Sequence, residues 1–108
     1  MNVEITISSE ESNGWLIVAP AGELDIATSG ALDQALAENR DTILDLSGVS
    51  FMDSTGIRTM VGVHNRLSEA GNKLRLVVPP GPVARIIEIT GLTGALDLAE
   101  SRDAALSP

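Results

Sequence analysis

From Thr42 to Leu67 the chain reads TILDLSGVSFMDSTGIRTMVGVHNRL, and this stretch limits the fold more than any other. Thr42 to Leu46 has the apolar content of a short buried strand, and Ser47-Gly48 follows as a turn. A long helix then opens at Asp53-Ser54-Thr55-Gly56. Placing its residues at steps of about 100° puts Ile57, Met60, Val61, Val63, His64 and Leu67 on one broad face. Arg58, Asn65, Arg66 and Glu69 fall on the other. Gly56 lies in the buried arc, where the missing side chain lets the backbone approach the sheet. Gly62 lies in the exposed arc and costs about 1 kcal/mol against alanine; either it is merely tolerated or a partner's backbone packs there. The helix stops at Ala70-Gly71-Asn72, a glycine C-cap.

The flanking segments build the rest of a sheet. Val3, Ile5 and Ile7 alternate with Glu4, Thr6 and Ser8, as in a half-exposed strand. Glu10 to Gly14 is polar and ends in Asn-Gly, a hairpin signal. Trp15 to Ala21 is apolar on both faces and predicts a strand covered on both sides, with Pro20 near its end. After Gly22-Glu23-Leu24-Asp25, Thr28 or Ser29 can cap a helix to about Asn39, with Ala31, Leu32, Ala35 and Leu36 as its stripe. Leu74, Leu76 and Val78 alternate in a strand that Pro79-Pro80 ends. Pro82 suits the first position of a helix that closes at Gly91 with Leu92 behind it. Leu96 and Leu98 suggest a last strand, and Ser101 caps a brief helix to about Leu106.

The order β-β-α-β-α-β-α-β-α predicts an α/β fold: one domain over residues 1–108, its sheet mostly parallel with an antiparallel N-terminal strand. Loops at the carboxyl ends of parallel strands are where sites form. Gly22 to Ala27 and Phe51 to Thr55 are two such loops, which makes Asp25 and Ser54 expected neighbours.

Composition narrows the chemistry. The chain has 108 residues, is 44% hydrophobic with one Phe, one Trp and no Tyr, and so needs an aliphatic core. It has no cysteine, hence no disulfide, thiolate metal site or thiol nucleophile; the reading includes no metal and no cofactor. The net charge is −8, and no basic residue precedes Arg40. Such a surface repels phosphate backbones, which argues against direct nucleic-acid binding, and suits either solubility or a partner with a basic patch. The polar-apolar alternation of Met1 to Ile5 is not that of a signal peptide, and no apolar run is long enough for a membrane span. A cytoplasmic protein is the expectation.

Ser54 has three readings. As a cap, it or Asp53 satisfies an N–H of the first helical turn. As a nucleophile it needs a base. His64 lies ten residues along the helix, about 15 Å away, which leaves Asp25 and Asp53, and carboxylates of ordinary pKa deprotonate serine poorly. No Gly-x-Ser-x-Gly elbow is present either. As a phosphate acceptor, its hydroxyl sits at a loop-to-helix junction whose N–H groups and dipole favour an anion. Residue chemistry alone favours the cap, and no enzyme is expected.

Ile43-Leu44-Asp45-Leu46-Ser47, Val49 and Phe51-Met52-Asp53-Ser54-Thr55-Gly56 resemble the signature of the STAS domain in anti-sigma-factor antagonists. Gly22-Glu23-Leu24-Asp25 with Thr28, Gly71 before Leu74, Arg85-Ile86-Ile87 and Gly91-Leu92 extend the resemblance over nearly the whole chain. Departures are small: Ile57 and Met60 replace commoner leucines, and the last helix is short, ending at Pro108. The resemblance implies a partner-switching regulator. Its unmodified form would bind an anti-sigma factor that is itself a serine kinase and so free the sigma factor. Phosphorylation at Ser54 would block binding, and a serine phosphatase would reset it. The implied partner surface comprises Asp25, Asp53, Ser54, Thr55, Gly56, Arg58 and Gly62. The alternative is a STAS scaffold or transport-complex subunit in which Ser54 is only a helix cap.

Overall fold

The computed structural model describes residues 5–107; Met1, Val3, Glu4 and Pro108, invoked above, lie outside them. Strand β1 (Ile5–Ser12) and strand β2 (Trp15–Leu24) form an antiparallel hairpin. Its Asn13-Gly14 turn has both residues at positive φ, 53° and 84°, as a two-residue turn between twisted strands requires. Helix α1 (Ser29–Ala35), β3 (Thr42–Asp45), β4 (Gly48–Met52), α2 (Ser54–Glu69), β5 (Leu74–Val77), α3 (Pro82–Thr90), β6 (Asp97–Ala99) and α4 (Arg102–Leu106) follow. The strands make one six-stranded sheet in the order β1-β2-β3-β5-β6, with β4 added to β2. Every pairing except β1 with β2 is parallel, so the predicted α/β architecture with one antiparallel N-terminal strand holds.

The difference is β4. The sequence reading ended the strand at Leu46 and left Gly48–Met52 as turn and loop. Instead the chain steps sideways after Leu46 and resumes beside the far half of β2, with Ala21 opposite Gly48 and Leu24 opposite Met52. Central strand β2 therefore carries β3 along Leu16–Val18 and β4 along Ala21–Leu24 on the same flank. Its length explains why Gly22 to Leu24, read as a break, is still strand. Pro20 falls between the two partners, where neither parallel register includes it.

The two apolar faces of β2 pack into separate clusters. Leu16 and Val18 join the main core under α1, α2 and α3, together with Leu24, Leu32, Leu36, Met60, Leu67 and Ile87. Ile17 turns to the opposite face and meets Ile43, Val77 and Ala105 of α4. Leu32 and Leu36 are buried as predicted, whereas Ala31 is exposed. Helix α1 ends at Ala35 rather than Asn39, and the Arg66 guanidinium donates to the carbonyls just beyond it, those of Leu36 and, at 3.3 Å, of Ala37. Helix α2 closes as foreseen: Asn72 N–H donates to Leu67 O at 2.8 Å and Gly71 N–H to Ser68 O at 3.1 Å, a paired ending that needs Gly71 at φ 81°.

Candidate functional site

The carboxyl ends of β2 and β4 lie side by side, and the loops that carry Asp25 and Ser54 leave from them. Leu24 pairs with Met52, and the Asp53 N–H donates to the Leu24 carbonyl at 3.0 Å. The loop after β2 and the first turn of α2 are thus joined one residue before Asp25 and one before Ser54. This is the predicted neighbourhood of Asp25 and Ser54.

The cap question is settled by geometry. Asp53 is the N-cap of α2: its backbone is extended, and its Oδ1 accepts from Thr55 N–H at 2.8 Å and Gly56 N–H at 3.2 Å. Ser54 is then the first residue of the helix, exposed, and its hydroxyl has no hydrogen-bond partner among the described residues. Of the two caps the sequence offers, Ser54 and Asp53, it is Asp53 that does the work. Ser54, Arg58 and Gly62 follow at four-residue spacing and are all exposed, so they form one line along the outer side of α2. Thr55 is half-buried, and its carbonyl accepts from the Thr59 hydroxyl at 3.1 Å.

Gly56 is buried where a side chain cannot go. A Cβ there would stand 2.7 Å from Met52 Cγ and 3.1 Å from both Leu24 Cβ and Leu24 O. Helix and strand ends are in van der Waals contact at this point, as the sequence predicted. Gly62 is the opposite case: a Cβ there would meet nothing within 4 Å.

Asp25 shapes its own loop. Its Oδ1 accepts from Ala27 N–H at 2.9 Å and Thr28 N–H at 3.2 Å, and its carbonyl accepts from the Ser29 hydroxyl at 2.7 Å. Thr28 donates its hydroxyl to the Glu23 carbonyl at 2.7 Å, so neither it nor Ser29 caps α1 with a side chain. One carboxylate oxygen of Asp25 is committed to shaping the loop.

Sequence reasoning passed over Asp45. Buried at the end of β3, it accepts from the Ser47 N–H at 3.0 Å and the Ser47 hydroxyl at 2.6 Å, and pairs with Arg102 Nε at 2.5 Å. Burial pushes its carboxyl up, but the Ser47 and Arg102 hydrogen bonds outweigh this and hold it below the usual carboxylate range. Arg102 also reaches Glu10 at 2.6 Å, which fastens α4 to β1 as well as β3. The Asp-x-Ser-Gly spelling was the available signal, since Asp folds back onto amides two residues ahead in such turns. His64 is half-buried on α2, and its Nδ1 has no partner. Among the described residues no group of three or more His, Asp or Glu is placed to hold a metal ion, and no helix is long and apolar enough to cross a membrane.

Comparison with known proteins agrees with this geometry. The STAS domain family model matches residues 6–105. The anti-sigma-B factor antagonist of Staphylococcus aureus (strain NCTC 8325 / PS 47) is 30% identical over 108 residues, covering 95% of this chain and 98% of that protein. A crystal structure of an anti-sigma factor antagonist from Mycobacterium paratuberculosis superposes with a TM-score of 0.81 at 31% identity, covering 95% of this chain and 92% of that one. The Bacillus cell fate determinant SpoIIAA in its phosphorylated form shares the fold, with a TM-score of 0.64 at 20% identity over 93% of this chain and 96% of that one. With the family model spanning nearly all of the sheet and helices described above, the chain belongs to the STAS domain family.

Proposed function

We propose that this protein is an anti-sigma-factor antagonist that acts by partner switching. Its unphosphorylated form binds an anti-sigma factor that is a serine kinase, and so releases a sigma factor. Phosphorylation of Ser54 blocks that binding, and a serine phosphatase restores it. The protein is then a cytoplasmic binding module and kinase substrate, not an enzyme. The observation that carries the reading is the division of labour at the start of α2. Asp53 does the capping, which leaves the Ser54 hydroxyl exposed and uncommitted at a helix N-terminus. The names of the similar proteins, and the phosphorylated form in which SpoIIAA is known, support the same role.

The switch has a physical basis. A phosphate adds about −1.5 to −2 charge where Asp53 and Asp25 already stand. The helix start tolerates it locally, but a partner surface built to meet a neutral hydroxyl must then desolvate a concentrated negative site. Incubation with ATP and candidate anti-sigma kinases, followed by mass spectrometry, tests the assignment. Labelling that Ser54→Ala alone abolishes supports it. No labelling by any such kinase refutes it and favours a STAS scaffold in which Ser54 has no signalling role.

A further inference from the structure

Ile26 stands in the loop after β2 with 83% of its surface exposed, more than Ile89 at 78% or Phe51 at 46%, the other large exposed apolar residues among those described. A lone exposed isoleucine needs no explanation. This one is held in place. The turn that carries it is closed by the Asp25 Oδ1 bonds to Ala27 N–H and Thr28 N–H, and by the Ser29 N–H and hydroxyl donating to the Asp25 carbonyl at 2.9 Å and 2.7 Å. The loop cannot fold Ile26 back onto the sheet without breaking these bonds. It is also joined to the start of α2 by the Asp53–Leu24 hydrogen bond, only two residues from Ile26.

We propose that Ile26 is the apolar anchor through which the kinase-type partner docks beside Ser54, with Asp25 as the residue that positions it; the proposal rests on Ser54 being the partner's target. A chain with net charge −8 that shows an isoleucine next to Asp25, two residues beyond the strand end bonded to Asp53, calls for an apolar pocket bordered by basic groups. Interfaces concentrate binding energy in a few side chains that fill such pockets. A loop backbone already fixed in position loses little freedom on binding. Asp25, read from the sequence as a contact residue, acts instead through the shape of its turn.

The test uses whichever kinase labels Ser54 in the experiment above, titrated calorimetrically with the unphosphorylated protein. Ile26→Ala is expected to weaken binding about tenfold or more, and Ile26→Lys to abolish it, with thermal melting of both as in wild type. Ile89→Ala is expected to bind as wild type. Asp25→Asn keeps the Oδ1 acceptor and is expected to retain affinity, whereas Asp25→Ala frees the turn and loses it. Wild-type affinity in a folded Ile26→Ala variant overturns the anchor, and equal losses in Asp25→Asn and Asp25→Ala overturn the positioning role. If the wild-type protein binds no kinase at all, the reading of Ser54 itself fails, an outcome distinct from either.

Discussion

The Asp53 N–H and the Leu24 carbonyl, 3.0 Å apart, tie the start of α2 to the end of β2. Asp53 also caps α2 through its side chain. A single residue therefore sets the direction of the helix and its height above the sheet.

Asp53→Ala should lower the stability of the domain by about 1 kcal/mol, the usual worth of an N-cap. Ser54→Ala should stay within about 0.5 kcal/mol of wild type, as befits an exposed side chain with no partner. Urea denaturation of both variants checks the contrast. A Ser54→Ala loss as large as that of Asp53→Ala would show that the hydroxyl caps after all.

Gly56→Ala should cost about 1–3 kcal/mol through overpacking. Met52 can swing aside, but the Leu24 carbonyl at 3.1 Å is backbone and cannot. A melting temperature equal to wild type would contradict the close packing of α2 on the strand ends.

Gly62→Ala should raise stability by roughly 1 kcal/mol, because the new methyl points into open space and relieves the entropic cost of glycine in a helix. The same variant reads out the partner surface. Weaker binding despite higher stability would place a partner's backbone against this position, and unchanged binding would remove Gly62 from the interface.

Asp45→Asn separates a buried ion pair from the fold by pH. The native carboxyl is held below its ordinary value, so its contribution is complete above the unfolded pKa, about 3.9, and disappears as pH falls through the lower folded value. The variant should therefore be less stable than wild type by about 1–2 kcal/mol at neutral pH, the lower part of the range for charged hydrogen bonds because Arg102 is partly exposed. The gap should hold from about pH 8 to pH 5 and narrow below about pH 4. A gap that widened in acid would show the sign to be wrong.

Phosphorylated Ser54 should leave the far-ultraviolet circular dichroism and the melting temperature close to those of the unmodified protein, since added negative charge is tolerated at a helix N-terminus. A large loss of helicity on phosphorylation would mean that the switch acts by local unfolding.

The hairpin turn at Asn13-Gly14 and the helix ends at Gly71-Asn72, Pro82 and Ser101 were legible because their chemistry is local and acts within a turn. The Ser101 hydroxyl, for example, does accept from Ala104 N–H at 3.1 Å. What escaped notice depends on residues far apart in the chain. Arg66 caps the carbonyl end of α1 from 30 residues away, and Arg102 holds Asp45 across 57. Strand β4 was hidden because a sideways step along a long neighbour leaves no signature beyond a Ser-Gly pair that reads equally well as a turn. The carboxyl-end placement of Asp25 and Ser54 was visible in the order of elements, whereas the sequence left the cap open between Ser54 and Asp53 and only the fold assigns it to Asp53. Both residue types cap helices, and only the extended backbone at Asp53 distinguishes them.

The capping of α2 by Asp53 and not by Ser54 has a consequence for how the domain can diverge. A residue whose side chain the fold does not use is released from selection for folding. At position 54 any residue tolerated in the first turn of a helix leaves the domain intact, so its identity can follow the partner's requirements alone. Position 53 has no such freedom. A lineage could lose or replace the serine in one step and keep a sound scaffold, while a change one residue earlier would be paid in stability whatever the partner.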